Sequence, residues 1–198
     1  MTRVKICGIR SLDDAKAALD AGADMLGFIF YRPVRRYLEP ARAAAIIEGA
    51  RKHQASGWQA VGVFVDEPAD SLKAIAAECR LDVVQLHGDE TPEYVEAIGT
   101  PAVKVIRNLD CVPKYSVQRF MLDSQVEGYY GGSGVPREWR SLAGRMAEHI
   151  LAGGLTPDNV REAIDLTQPW GVDVSSGVET DGVKDPTLIG AFLKAVRA

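Results

Sequence analysis

The chain has 198 residues, enough for one domain with a sizeable hydrophobic core. Its hydrophobic fraction of 46%, charged fraction of 25% and formal net charge of -4 are those of an ordinary globular protein, and they disfavour a broad basic surface for nucleic acid. No apolar run approaches the roughly 20 residues that cross a membrane, the amino terminus lacks a signal-peptide pattern, and the three cysteines have no metal-ligand spacing. We therefore expect a cytoplasmic protein with free thiols and neither a nucleic-acid nor a membrane partner.

Eight short segments rich in β-branched and apolar residues follow one another along the chain. We predict strands at residues 4–7, 25–30, 60–65, 83–87, 102–106, 119–122, 149–152 and 171–174. Several of these segments are apolar almost without interruption, as strands are when helices cover both faces of a parallel sheet.

Helix signals separate most of the predicted strands. Ser11 with Asp14 forms a plausible capping box, and Gly22 closes the helix that it opens. Prolines near the first turn indicate further helix starts at Pro40, Pro68, Pro92, Pro157 and Pro186.

Alternating strands and helices in this number are typical of a compact (β/α)8 TIM barrel, which we predict as a single domain over residues 1–198. One helical unit, after strand five, looks eroded because residues 108–118 contain Pro113 and little amphipathic pattern. The alternative α/β architecture is an open doubly wound sheet. The count of eight strands and the lack of a G-x-G-x-x-G run after the first strand make that alternative weaker.

In such barrels the functional side chains lie at the carboxyl ends of the strands. Cys7 ends the first strand, and exposed backbone N–H groups at Gly8 or the cation of Arg10 would lower the pKa of its thiol. Asp123 follows the sixth strand, where apolar walls would raise the pKa of the carboxyl until it can donate a proton near neutrality. Each residue also has a structural interpretation, as a buried thiol or as a loop cap.

Two glycine-rich turns follow the last two strands and favour a small phosphorylated ligand. The predicted phosphate-binding residues are Gly153, Gly154, Ser175, Ser176 and Gly177. Arg36, after strand two, has the paired N–H donors that suit a carboxylate, although a solvated surface arginine is the commoner case. His87 and Asp173 are predicted to line the pocket, and no residues suggest a metal site.

Together these motifs resemble the phosphoribosylanthranilate isomerase family. The resemblance rests on the runs KICGI at 5–9, GVFV at 62–65, QLHG at 85–88, LD at 122–123, GGSG at 131–134, GGLTPDNV at 153–160 and VDVSSGVE at 172–179. They occur in the family's order and span most of the chain, so that the set is specific although no single run is.

The resemblance implies a cofactor-free Amadori rearrangement in tryptophan biosynthesis. N-(5-phosphoribosyl)anthranilate would become 1-(2-carboxyphenylamino)-1-deoxyribulose 5-phosphate. Cys7 matches the family's general base and Asp123 its general acid. Arg36 matches the residue that holds the anthranilate carboxylate, and the two late glycine turns match the phosphate site. The chain is expected to be a monomer or a homodimer.

Two positions depart from the family's pattern, and both concern loops on the anthranilate side. Val34 stands where the family often has Ser, two residues before the carboxylate-binding arginine. Arg137 and Glu138 precede Trp139, where the family usually has an aromatic residue and an acid.

Other functions are weighed against this one. Indole-glycerol-phosphate synthase would need a lysine deep in the barrel, for which the only strand lysines are Lys5 and Lys104. The histidine-pathway aminoaldose isomerase would have an aspartate in place of Cys7, although a substrate range covering both isomerisations stays open. A non-catalytic sugar-phosphate binder or a thiol redox sensor is weaker, because Cys79 and Cys111 are poorly placed as resolving thiols.

Overall fold

A computed structural model describes residues 1–106, 109, 115–123 and 139–198. Eight parallel strands pair in chain order and close into a barrel, with the last strand beside the first. They are β1 Arg3–Cys7, β2 Met25–Ile29, β3 Gln59–Phe64, β4 Val83–Leu86, β5 Ala102–Ile106, β6 Arg119–Leu122, β7 Ile150–Leu151 and β8 Gly171–Val174. The predicted barrel is confirmed over the open sheet, and each predicted strand lies within two residues of its observed bounds.

Helices of the described part of the chain pack around the barrel. They are α1 Leu12–Asp20, α2 Pro40–His53, α3 Ala69–Cys79, α4 Pro92–Ile98, α5 Val160–Thr167 and α6 Pro186–Arg197. Short 3-10 turns occupy Trp139–Leu142 and Ser176–Val178, and a small antiparallel pair, β9 Glu179–Thr180 and β10 Val183–Lys184, follows β8. No helix among these is long and apolar enough to cross a membrane.

Helix starts follow the sequence signals with one exception. The capping box of α1 is present, since Ser11 Oγ accepts from the Asp14 N–H at 3.0 Å and Asp14 Oδ2 accepts from the Ser11 N–H at 3.1 Å. The exception is α5, which begins three residues after Pro157. Asn159 accepts from the Thr156 N–H at 2.8 Å, so that a separate turn precedes the helix.

The barrel interior is apolar at its lower end and polar above. Side chains from six neighbouring strands fill the lower layer: Met25, Val61, Val83, Val103, Met121 and Ile150. Because side chains alternate across a strand, the next inward positions lie one layer higher, towards the carboxyl ends. Lys5 on β1 lies one inward position below Cys7 and pairs with its register partner Asp173 on β8.

Part of the sequence prediction falls outside the described residues. The segment expected to be eroded, 108–118, is described only at 109 and 115–118, and residues 115–118 are not helical. The GGSG run at 131–134, Cys111, Arg137 and Glu138 are likewise outside the description. The expectation of a single domain over residues 1–198 stays a prediction.

Candidate active site

A cavity at the carboxyl ends of the strands brings the predicted site residues together. It is lined by Cys7, Arg36, His87, Asp123, Gly153, Gly154, Asp173, Ser175, Ser176 and Gly177. Apolar side chains that sequence reasoning had not assigned to the site, among them Ile29, Val63 and Leu155, form part of the wall. The chemical roles of these residues stay predictions. Their shared location means that one ligand in the cavity could contact the thiol, the carboxyl, the arginine and the glycine turns.

Cys7 is buried at the end of β1, next to a position where only glycine fits. Its register partner on β2 is Gly27. A Cβ atom on Gly27 would lie 2.9 Å from Cys7 Sγ, closer than real Cβ atoms approach other groups, and a tight 3.0 Å from Lys5 Nζ. The missing side chain of Gly27 therefore leaves room for both the thiol and the ammonium group.

The predicted source of thiol activation is wrong. The N–H groups of Gly8 and Ile9 both donate to the Gly27 carbonyl, at 2.9 and 3.0 Å, so they are committed to the backbone. The guanidinium of Arg10 donates instead to backbone carbonyls of the loops that follow β2 and β9. Burial raises the pKa of the Cys7 thiol, and the cations that oppose this are Lys5 and Lys184.

Lys5 is a buried neighbour of Cys7 that sequence reasoning considered only for a different enzyme. Its side chain is 1% exposed, and Nζ donates to Asp173 Oδ1 at 2.9 Å. Burial lowers the pKa of this ammonium, but Asp173 and Cys7 together outweigh it and hold the pKa above its usual value. The available signal was a lysine two residues before Cys7, and hence on the same face of β1.

Asp123 is buried beside His87. His87 Nε2 lies 3.6 Å from Asp123 Oδ2, and both side chains are almost fully enclosed. On the other side of the ring, the amide nitrogen of Gln85 lies 3.3 Å from His87 Nδ1. Burial lowers the pKa of His87 to about 4, so the ring is neutral near pH 7. With the amide nitrogen of Gln85 towards Nδ1, the arrangement suits the neutral tautomer whose proton is on Nε2, facing Asp123.

Arg36 is held by a buried carboxylate. Its Nε and Nη2 donate to the two oxygens of Glu179, each at 2.7 Å. Glu179 also accepts from Lys184 and Arg35, both at 2.8 Å. Although burial opposes it, hydrogen bonds from Arg36 and Lys184 lower the pKa of Glu179 to about 2. This bidentate pair sets the direction of the guanidinium, and Nη1 takes no part in it.

Arg36 is also placed by a glycine. Its aliphatic stem crosses Gly8, where an added Cβ would lie 2.7 Å from Arg36 Cδ. Gly8 has a φ of +82°, in the left-handed region that favours glycine. The loop after β2 can therefore lie against the end of β1, beside Cys7.

The two late glycine turns are in contact with each other. Gly153 and Gly154 have φ values of +90° and +66°, which turn the chain sharply after β7. The side-chain amide of Asn159 donates to the Gly154 carbonyl at 2.9 Å and anchors this turn. A Cβ on Gly177 would lie 1.9 Å from the Leu155 carbonyl oxygen, so the two turns pack backbone to backbone.

Of the two departures from the family pattern, Val34 is described. It lines the cavity, where an apolar side chain replaces the hydroxyl expected from the family. Among the residues that the structure describes, no group of three or more His, Cys, Asp or Glu side chains is arranged to hold a metal ion.

Comparisons with known proteins agree over the whole barrel. Residues 4–195 match the family model for N-(5′-phosphoribosyl)anthranilate (PRA) isomerase. An N-(5′-phosphoribosyl)anthranilate isomerase of Moorella thermoacetica is 48% identical over 206 residues, which cover 100% of this chain and 90% of that protein. The crystal structure of phosphoribosyl anthranilate isomerase from Thermotoga maritima superposes with a TM-score of 0.86 at 34% identity, covering 100% of this chain and 99% of that one.

A further solved structure of such an isomerase contains a ligand. It is a complex with reduced 1-(o-carboxyphenylamino)-1-deoxyribulose 5-phosphate, with a TM-score of 0.83 at 33% identity, and it covers 100% of this chain and 99% of that one. A full-length family match and a relative at this identity are together decisive. The chain therefore belongs to the N-(5′-phosphoribosyl)anthranilate isomerase family of tryptophan-biosynthesis enzymes.

Proposed function

We propose that the chain converts N-(5-phosphoribosyl)anthranilate to 1-(2-carboxyphenylamino)-1-deoxyribulose 5-phosphate, with Cys7 as general base and Asp123 as general acid. The observation that carries the proposal is that a thiol and a carboxyl, on β1 and after β6, line one cavity together with Arg36 and two glycine turns. The reduced product analogue bound by a family member has a carboxylate at one end and a phosphate at the other, which suits such a cavity.

The first step opens the ribose ring. Asp123, in its protonated form, donates its proton to the furanose ring oxygen, and the bond between that oxygen and C1′ breaks. The lone pair of the anthranilate nitrogen forms a double bond to C1′, which yields a protonated Schiff base. His87 faces the Asp123 carboxyl with its Nε2 proton, and this neutral ring can orient the carboxyl without adding a charge.

The second step removes the proton from C2′. The iminium draws electrons towards nitrogen and makes this proton acidic, so that the Cys7 thiolate can take it. The electron pair forms a double bond between C1′ and C2′ while the π pair of the iminium returns to nitrogen, and the resulting enol relaxes to the ketone as C1′ gains a proton and the C2′ hydroxyl loses one. Because the nitrogen of the substrate is the electron sink, these steps balance without a cofactor. Positioned acids and bases contribute about 10²–10⁴-fold each.

Binding of the two ends of the substrate follows from the charges around the cavity. Arg36 is pre-oriented by Glu179 and can present its remaining N–H groups to the anthranilate carboxylate. The turns at 153–154 and 175–177 lie side by side, and turns of this kind bind phosphate through backbone N–H groups. Holding both ends fixes C1′ and C2′ between the acid and the base.

The experiment is a fluorescence assay on freshly generated phosphoribosylanthranilate. The unaltered protein is expected to consume the fluorescent substrate, whereas Cys7→Ala and Asp123→Asn should lose turnover and still bind. Cys79→Ala is the matched control, because Cys79 is also a buried thiol but donates to the Pro40 carbonyl at 3.3 Å, outside the cavity lining. Turnover retained in Cys7→Ala or Asp123→Asn would remove that residue from the mechanism. An inactive unaltered protein that binds sugar phosphates would instead favour the histidine-pathway aminoaldose or a binding role.

A further inference from the structure

Lys5 is a buried cation that the proposed mechanism does not use. Its side chain is 1% exposed on the inner face of β1. Placing an ammonium group inside a barrel is unfavourable unless partners compensate its lost hydration, so its presence there calls for an explanation. The carboxylate of Asp173 provides part of this compensation, because its Oδ1 accepts from Lys5 Nζ at 2.9 Å across the junction between β1 and β8.

Cys7 is the second group beside this ammonium. Lys5 and Cys7 are two residues apart on β1 and therefore face the same side. The position of a Cβ on Gly27 lies 2.9 Å from Cys7 Sγ and 3.0 Å from Lys5 Nζ. The sulfur and the nitrogen are therefore within about 6 Å of each other, the range in which a cation favours a neighbouring anion.

We propose that Lys5 is a positioning residue that stabilises Cys7 as the thiolate, and that Asp173 holds Lys5 in place while limiting this stabilisation. The inference deepens the proposed function, on which its catalytic consequence rests. When Cys7 loses its proton, the ammonium of Lys5 becomes shared between two anions, the sulfur and the Asp173 carboxylate.

Other charged groups face the thiol as well. Lys184 of β10 and Arg36 of the loop after β2 both act electrostatically with Cys7. Both of these cations donate to the carboxylate of Glu179, at 2.8 and 2.7 Å, which offsets their charge. The neighbouring residue on β2 is Gly27, which has no side chain and therefore brings no charge near the thiol. Burial raises the pKa of Cys7, and the influence of Lys5 is the largest that lowers it, whereas Asp173 raises it.

Substitution of the two partners should shift the thiol in opposite directions. The test follows the rate at which iodoacetamide alkylates Cys7 as a function of pH, without substrate, with peptide mass spectrometry to assign the modified cysteine. In Lys5→Met the profile should move to higher pH, and the rate at pH 7 should fall about tenfold or more. In Asp173→Asn the profile should move to lower pH, and the rate at pH 7 should rise. A loosened fold would move both profiles the same way.

Lys104→Met is the matched control. Lys104 is likewise an almost fully buried strand lysine paired with a buried carboxylate, Glu90, at 2.7 Å. It has no direct influence on Cys7 among the described interactions. Its loss should cost stability but leave the alkylation profile of Cys7 in place. Lys5→Arg, which keeps the charge, should restore much of the unaltered profile.

The inference and the proposed function can fail separately. Unchanged Cys7 profiles in both Lys5→Met and Asp173→Asn would overturn the inference even if the unaltered protein turns over phosphoribosylanthranilate. If Lys5→Met does not fold, Asp173→Asn decides alone, and an upward or absent shift overturns the inference. With turnover established, Lys5→Met should lower kcat and leave KM nearly unchanged, because it acts on the base and not on substrate binding.

Discussion

Glu179 offers the strongest stability prediction, because one buried carboxylate pairs with several cations. Its side chain is 3% exposed, and it accepts from Arg36, Lys184 and Arg35. Its pKa is about 2, against an ordinary value of 4.5, and this difference corresponds to about 3 kcal/mol of stability near neutral pH. Glu179→Gln should lower the free energy of unfolding by about this amount, since it leaves the buried Lys184 without its anion.

The pH dependence of this contribution has a definite sign. A carboxyl whose pKa is depressed on folding stabilises the protein fully above its unfolded pKa of about 4.5, and the contribution is lost as pH falls through the folded pKa of about 2. The assay is urea denaturation of both proteins between pH 7 and pH 3, followed by tryptophan fluorescence. The difference between them should be constant from pH 7 to pH 5 and shrink below that.

Glu48→Gln is the control, because Glu48 also pairs with a lysine, Lys52 at 2.6 Å, but on the exposed surface of α2. This variant should leave the unfolding midpoint unchanged, since exposed ion pairs contribute little. A difference for Glu179→Gln as small as that of the control would refute the view that a buried carboxylate organises this side of the cavity. So would a large difference that persists unchanged at pH 3.

Three further predictions concern the ligand side of the cavity. Arg36→Ala should raise KM about tenfold or more, because it removes a charged contact worth about 1.5–3 kcal/mol; steady-state kinetics with an unchanged KM would mean that another arginine holds the carboxylate. Gly177→Ala should weaken inhibition by ribose 5-phosphate by a similar factor, because the new Cβ would strike the Leu155 carbonyl and part the two turns. Nitrogen NMR should find His87 neutral from pH 8 to pH 5, with its proton on Nε2. A titration midpoint above pH 6 would show that burial does not dominate at this ring.

Much of the architecture was predictable because its signals are local. The largely apolar runs identified all eight strands, since strands covered on both faces need apolar residues. The capping box at Ser11 was equally clear, because its donors and acceptors lie within three residues of each other. The place of Cys7 and Asp123 at one end of the barrel followed from parallel strands having their carboxyl ends on one side. The exception at Pro157 arose because Asn159 bonds to the turn before it, a contact that the helix-start signal does not reveal.

The electrostatics of the site were decided by tertiary structure alone. Closure of the barrel sets Lys5 beside Asp173, 168 positions away in the chain, and the turn after β8 sets Glu179 beside Arg36, 143 positions away. No periodicity connects residues so far apart, so sequence reasoning assigned thiol activation to Gly8 and Arg10, the nearest groups along the chain. The sequence by itself determined that Cys7, Asp123 and the two glycine turns lie at the strand ends. Only the closed barrel decided which charges meet there and how deeply they are buried, and these two quantities govern the pKa of the thiol.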